Sequence, residues 1–223
     1  MSIVHAGKML AAYFPNSWQR AIRRLQYGRQ VKKDRFVSNE PEFAVMHQYL
    51  GLGDWAIDVG ANIGVYTKRF SDLVGPTGRV IAFEPIPETF ALLTGNMKLL
   101  RVQNMTLLNA AASNETRVVG MDMPSFDTGL PNYYCATVSP DAKSFRVMTI
   151  PIDAFSLPKV KVVKIDAEGH DREVLLGAMR LIARDLPVLI VESIPPDIED
   201  QLAKLNYRSV RLPNSPNTIL MAS

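Results

Sequence analysis

The chain has 223 residues, 47% of them hydrophobic and 21% charged, with a net charge of +3 and a sequence pI near 9.0. These figures suit one globular domain and exclude disordered, collagen-like and disulfide-scaffold chains. The single cysteine, Cys135, excludes an internal disulfide and fits a reducing, cytoplasmic compartment, and no apolar run reaches the roughly 18–20 residues of a membrane span.

The charge is unevenly placed. Residues 1–35 hold eight bases against one acid, a net +7, whereas the other 188 residues hold 17 bases against 21 acids, a net −4. A basic pI points to nucleic acid when it belongs to the folded domain. Here it belongs to an N-terminal arm, residues 1–42, ahead of a mildly acidic body, 43–223. No nucleic-acid partner is therefore expected.

The apolar stretch Met9–Phe14 lacks the charged lead and small-residue cleavage site of a secretory signal. Pro15-Asn16-Ser17 offers helix-start chemistry, and Trp18, Ile22 and Leu25 then fall at i, i+4 and i+7, with Arg20, Arg23 and Arg24 mostly off that stripe. Such a helix either touches an anionic surface or packs its stripe on the body with solvated arginines outside. The shortness of the stripe favours packing.

From Trp55 onward, β-rich runs alternate with helical patterns. The expected strands are 55–59, 79–83, 105–109, 161–166 and 187–192, with helices near 65–74, 87–100 and 171–184. This alternation predicts βαβ units and a parallel sheet. Runs 207–212 and 218–221, joined by Pro213-Asn214-Ser215-Pro216-Asn217, predict a hairpin and an antiparallel edge. The fold class is a doubly wound α/β sheet, in which ligands sit outside the carboxyl ends of the strands.

Those strand ends hold the unusual residues. The first ends Ala56-Ile-Asp-Val-Gly-Ala-Asn-Ile-Gly64, with Asp58 near a tight turn that Gly60 permits, and Gly64 allows the following helix to approach. The nicotinamide fingerprint fails here, because Asn62 and Val65 occupy two of its three glycine positions, and a phosphate-binding loop is absent. Glu84 ends the second strand, 26 residues after Asp58, where a carboxylate can accept hydrogen bonds from both hydroxyls of a ribose. Asn109-Ala110-Ala111-Ala112 leaves room for a flat ring. The fourth strand ends Val163-Lys-Ile-Asp-Ala-Glu-Gly-His-Asp171, the densest charged cluster at any strand end. A base, an electrostatic clamp or a metal ligand can come from Lys164, Asp166, Glu168 and His170. A plainer reading leaves Glu168 and Asp171 favouring a helix N-terminus. Glu192 lies on the same rim. Pro195-Pro196 does not complete the Pro-Pro-aromatic motif of amino-group methylation on nucleic acids, since Ile194 precedes it and Asp197 follows.

Assembled in order, Asp58–Gly64, Ala82-Phe-Glu-Pro85 and Lys164–Gly169 resemble the FkbM-type family of S-adenosylmethionine-dependent methyltransferases. Weaker matches are Asn109-Ala-Ala111, Ile152-Asp153, Val174-Leu-x-Gly-Ala178 and Val191-Glu192. The resemblance runs from about Phe43 to Met221. It implies a seven-stranded class I methyltransferase sheet with an antiparallel last strand, and S-adenosyl-L-methionine as cofactor. It also implies that Asp58, Gly60, Asn62 and Gly64 line the methionine part, that Glu84 takes the ribose hydroxyls, and that Asn109 and Ala110 lie near the adenine. Asp166 and Glu168 would face the methyl group or the acceptor. His170 and Asp171 depart from the commoner Ala-Glu.

The resemblance implies O-methylation of a hydroxyl on a sugar, glycan or secondary metabolite. A hydroxyl must lose its proton during attack, and Asp166 is the first candidate for base or orienter, with Glu168, His170 and Lys164 behind it. Nothing in the spacing demands a metal. Residues 113–150 exceed a simple turn and predict inserted strands at 116–120 and 145–150. The stretch between them, with Met121, Met123, Phe126, Tyr133, Tyr134 and Cys135, is a lid or acceptor-pocket candidate. A non-catalytic cofactor-binding scaffold and a nucleic-acid methyltransferase are the alternatives.

Overall fold

The computed structural model describes residues 16–123, 137–138 and 145–223. Helix α1 (Asn16–Lys32) and the short α2 (Pro41–Val45) precede β1 (Trp55–Val59), α3 (Val65–Val74), β2 (Arg79–Phe83), α4 (Pro87–Met97) and β3 (Met105–Leu108). Next come β4 (Ala111–Ala112), β5 (Arg117–Asp122), β6 (Thr137–Val138) and β7 (Phe145–Ile150). The chain then runs through β8 (Val160–Ile165), α5 (Asp171–Leu176), α6 (Met179–Asp185), β9 (Val188–Val191), α7 (Pro196–Lys204), β10 (Tyr207–Arg211) and β11 (Thr218–Ala222).

Among the described residues, seven strands form one sheet in the order β10-β11-β9-β8-β1-β2-β3. The five strands from β9 to β3 pair in parallel, whereas β11 runs antiparallel to both β9 and β10. The doubly wound sheet and its antiparallel last strand are thus as the alternation and the hairpin chemistry predict.

Alternation along the strands divides the core. Ile57, Val59, Ile81, Phe83, Val163, Ile165, Leu189 and Val191 face α5, α6 and α7. Ala56, Val80, Val162 and Ile190 face Phe43, Met46, Tyr66, Phe70 and Val74 on the other side. Each of the large buried side chains contributes about 1.5–3 kcal/mol. On this second face the β1–β8 register sets Asp58 directly beside Lys164. A charged pair therefore sits where the neighbouring positions are Ala and Val.

The expected helix over 171–184 is two helices. Gly177 comes so close to the Ser113 carbonyl that a Cβ there would lie 1.9 Å from it, and α6 restarts at Met179. Asp153 caps this second helix by accepting the backbone N–H groups of Arg180 and Leu181, both at 2.9 Å. Helix α7 was not expected. Pro196 at its first turn, Asp197 and Glu199 beside it and Lys204 at its end are ordinary start and stop chemistry.

Strands β5 and β7 pair antiparallel, extending the inserted strands expected at 116–120 and 145–150, and β4 and β6 complete a second sheet in the order β4-β7-β5-β6. Phe126, Tyr133, Tyr134 and Cys135 of the expected lid lie outside the described residues. No helix among the described residues is long and apolar enough to cross a membrane.

Helix α1 departs from the packing expected of its stripe. Tyr27 and Val31 face the body and cluster with Phe36, Leu93 and Met97, whereas Trp18, Ile22 and Leu25 are 62%, 49% and 62% exposed. The physical reason lies in the helical period, because at about 100° per residue Tyr27 and Val31 fall roughly opposite the stripe. Only one of the two faces can meet the body.

Candidate active site

The carboxyl ends of β1, β2 and β8 meet at a cleft. After Val59 the backbone turns through Gly60 at φ +74°, and the Gly60 and Ala61 N–H groups donate to the Phe83 carbonyl at 3.0 and 2.9 Å. Gly60 passes against β8, where any Cβ would lie 1.9 Å from the Asp166 carbonyl oxygen. Gly64, at φ +98°, allows α3 to start against Leu93 and Met97 of α4. Asn62 also has a positive φ, +50°, which asparagine tolerates.

Glu84 sits at the floor of this turn. One carboxyl oxygen accepts the Asn62 N–H at 2.9 Å and the other accepts the Ile86 N–H at 2.8 Å. Burial nevertheless pushes its pKa up to about 7, with Asp58 and Asp166 adding to the shift. Each oxygen keeps a lone pair for one further donor. The Asn109 amide donates to the Glu84 and Pro85 carbonyls at 2.9 and 3.0 Å, so its side chain holds the loop that carries Glu84. Beside it the cleft is lined by Ala111 and Ala112 and, from the second sheet, Met121; Asn109 and Ala110 lie just outside.

Asp58 is fully buried. One oxygen accepts the Thr67 hydroxyl at 2.6 Å and the other, Oδ1, has no partner among the described residues. Burial raises its pKa, while Lys164 and Thr67 oppose the rise. Lys164 donates to Asp166 Oδ2 at 2.8 Å and lies 4.7 Å from the Tyr66 ring centroid. Burial opposes the Lys164 charge, but Asp166 and Asp58 outweigh it and hold its pKa up. The Tyr66 hydroxyl in turn donates to Glu40 at 2.5 Å.

The clefts on either side of Gly60 differ in chemistry. One, of about 720 Å³ with its open mouth included, runs over Glu84, Ile86, Ala111 and Ala112 to Asp166, Glu168 and His170. The other, of about 710 Å³ counted the same way, is lined by Asp58, Lys164, Asp166, Tyr66 and Glu40. The first suits a ribose and a flat ring; the second suits a group carrying both an ammonium and a carboxylate.

Glu168 stands at the mouth of the first cleft with φ +47°. Desolvation of its carboxyl, then the charges of Asp166, Glu192 and Asp171, push its pKa up to about 7. His170 is half-buried, its Nε2 hydrogen-bonded to Ser113 Oγ at 2.9 Å, and burial lowers its pKa. It therefore ties the end of β4 to the β8 loop. Asp171 has a structural task that the residue pattern alone did not separate from chemistry. Its two oxygens accept the Ala167 and Ser193 N–H groups at 2.9 and 3.0 Å, joining the ends of β8 and β9.

Residues 58–209 match the methyltransferase FkbM domain. The chain belongs to the FkbM methyltransferase family. A curated relative, the hexuronic acid methyltransferase AglP of Haloferax volcanii, is 32% identical over 124 residues, 54% of this chain and 48% of AglP. A wheat (Triticum aestivum) protein-L-isoaspartate O-methyltransferase is 39% identical over 54 residues, 24% of each chain. The chain thus spans about half the length of the first relative and a quarter of the second. Among solved structures, an FkbM methyltransferase from Methylobacillus flagellatus KT superposes with a TM-score of 0.54 at 17% identity, covering 75% of this chain and 43% of that one. A Geobacter sulfurreducens methyltransferase gives 0.52 at 10% identity over 100% and 98% of the two chains. The fold is that of the class I methyltransferases.

S-adenosylmethionine is the cofactor of this FkbM family member, and the residues fit it. The paired oxygens of Glu84 match two ribose hydroxyls, and the alanine-lined wall admits an adenine. The unpartnered Oδ1 of Asp58 matches an ammonium, with Lys164 available to a carboxylate.

Proposed function

We propose that this chain is an S-adenosylmethionine-dependent O-methyltransferase acting on a hydroxyl of a sugar, a glycan or a related secondary metabolite. One observation carries the reading: a single cleft is lined both by Glu84 and by a second carboxyl, Glu168, which desolvation and neighbouring carboxylates push up to about 7. Glu84 suits the nucleoside of the cofactor, and Glu168 suits a proton acceptor for the incoming nucleophile.

When bound, the cofactor supplies a methyl carbon already activated by its sulfonium. The chain's work is then positional and protonic. Gly60, Glu84 and Asp58 hold the donor at the strand ends, and the cleft walls exclude water while the acceptor hydroxyl is aligned with the methyl carbon. The acceptor hydroxyl must lose its proton as it takes the methyl group, and Glu168 would accept that proton. Asp166 Oδ2 is engaged by Lys164, so Glu168 replaces it as the first candidate for base. The relationship to AglP, itself a sugar-acid methyltransferase by name, supports a carbohydrate acceptor.

Transfer of labelled methyl from S-adenosylmethionine to a panel of glycans and hydroxylated metabolites tests this reading. The expected product is an alkali-stable methyl ether formed by the wild type and reduced by Glu168→Gln. An alkali-labile methyl ester, or cofactor binding with no transfer to any hydroxyl, would contradict it.

A further inference from the structure

The cleft does not use the N-terminal helix, and that helix presents an apolar stripe away from the body. Trp18, Ile22 and Leu25 lie 62%, 49% and 62% exposed on the side of α1 opposite Tyr27 and Val31. Residues 16–35 carry seven bases, Arg20, Arg23, Arg24, Arg29, Lys32, Lys33 and Arg35, against the single acid Asp34. That acid is already paired with Lys68 of α3 at 3.0 Å. The rest of the chain, from residue 36 on, is net negative.

From this juxtaposition we infer that α1 is a membrane-docking helix, which lays Trp18, Ile22 and Leu25 into the interface of an anionic lipid bilayer. By the helical period Arg29, Lys32 and Lys33 fall on the same side as the stripe, and an apolar stripe with basic neighbours is the pattern of interfacial helices. The apolar side chains enter the headgroup boundary while each basic residue near the surface strengthens binding roughly fivefold. The charge division also sets an orientation, because an anionic surface attracts α1 and repels the acidic body. A phosphodiester backbone would satisfy the arginines and lysines but leave Ile22 and Leu25 without a role. The lipid surface uses both.

The docking helix is wired to the active site. Asp34, just beyond α1, is fixed to α3 through Lys68, and Val37, Ser38 and Glu40 form a wall of the cleft that contains Asp58 and Lys164.

Sedimentation of the full chain with vesicles tests the inference, using phosphatidylcholine alone and with about 30% phosphatidylglycerol. The chain is expected to pellet with the anionic vesicles at about 0.1 M salt and to be released at about 0.5 M. The double variant Ile22→Glu/Leu25→Glu should bind at least tenfold more weakly, with S-adenosylhomocysteine binding unchanged as the sign that it is folded. On the wild type, brominated lipids should quench the emission of Trp18, read as the difference from a Trp18→Phe chain. Failure to pellet with anionic vesicles, equal binding by the double variant, or absence of that quenching would each overturn the inference. So would retention by RNA, unaffected by the double variant, in a chain that ignores vesicles.

Discussion

The backbone at Gly60 runs so close to Asp166 that a β-carbon on residue 60 would lie 1.9 Å from the Asp166 carbonyl oxygen. Two strand ends that each carry candidate site residues are thereby held at van der Waals distance, with Gly60 also at φ +74°. Gly60→Ala must either move the β8 loop or abandon the turn. It is expected to cost about 2 kcal/mol or more and to abolish S-adenosylhomocysteine binding, as read by thermal melting and calorimetry.

Glu84 ties cofactor binding to pH. In the free protein its carboxyl titrates at about 7, above the ordinary 4.5, so between those values the folded chain holds a proton that the unfolded chain has lost. Its contribution to stability is thus complete below pH 4.5 and disappears as pH rises through 7, a change of about 3 kcal/mol. Ribose hydroxyls donate to the ionised form, so binding should instead weaken about tenfold per unit below pH 7. Melting temperatures measured from pH 5 to 8 should fall without ligand, while the stabilisation by S-adenosylhomocysteine grows. Glu84→Gln should flatten both trends.

Lys164 is the cation between two carboxylates. Lys164→Met would leave Asp58, fully buried, and Asp166 without it. A loss of about 3 kcal/mol is expected at pH 8 by urea denaturation. The loss should shrink as pH falls, because Asp58, raised by burial and no longer opposed by the Lys164 charge, takes up a proton more readily. A loss that is independent of pH would argue against this pairing.

On the proposed reading Glu168 acts on the acceptor rather than on the cofactor. At limiting acceptor the wild-type rate should rise with pH as this carboxyl, pushed up to about 7 in the free chain, ionises. Glu168→Gln should lower kcat on the order of a hundredfold and remove that limb, with S-adenosylhomocysteine affinity unchanged within about twofold. A hundredfold loss of affinity would instead place Glu168 in the cofactor site.

The strand ends were legible because their residues break local rules. Asp58 interrupts an apolar strand, Glu84 is stopped by a proline, and Lys164 and Asp166 occupy alternate positions on one face. What was not legible depended on packing between distant segments. The break at Gly177 is made by a contact with Ser113, and Asp171 reveals its task only when Ala167 and Ser193 are brought to it. Likewise Tyr27 and Val31 form as short a stripe on α1 as Trp18, Ile22 and Leu25 do, so periodicity shows two faces and only the body selects between them. For α7 the signals were local and sufficient: Pro196, Asp197 and Glu199 announce a helix that a comparison with a nucleic-acid motif obscured.

The central claim is that the ends of β1, β2 and β8 cradle an S-adenosyl nucleoside through Glu84 and the Gly60 turn. The most direct measurement is calorimetric titration of the chain with S-adenosylhomocysteine at pH 8, beside Glu84→Ala. The predicted result is saturable binding at one site per chain, weakened at least tenfold by the substitution. Absence of binding to the folded wild type, or equal binding by Glu84→Ala, would contradict the claim.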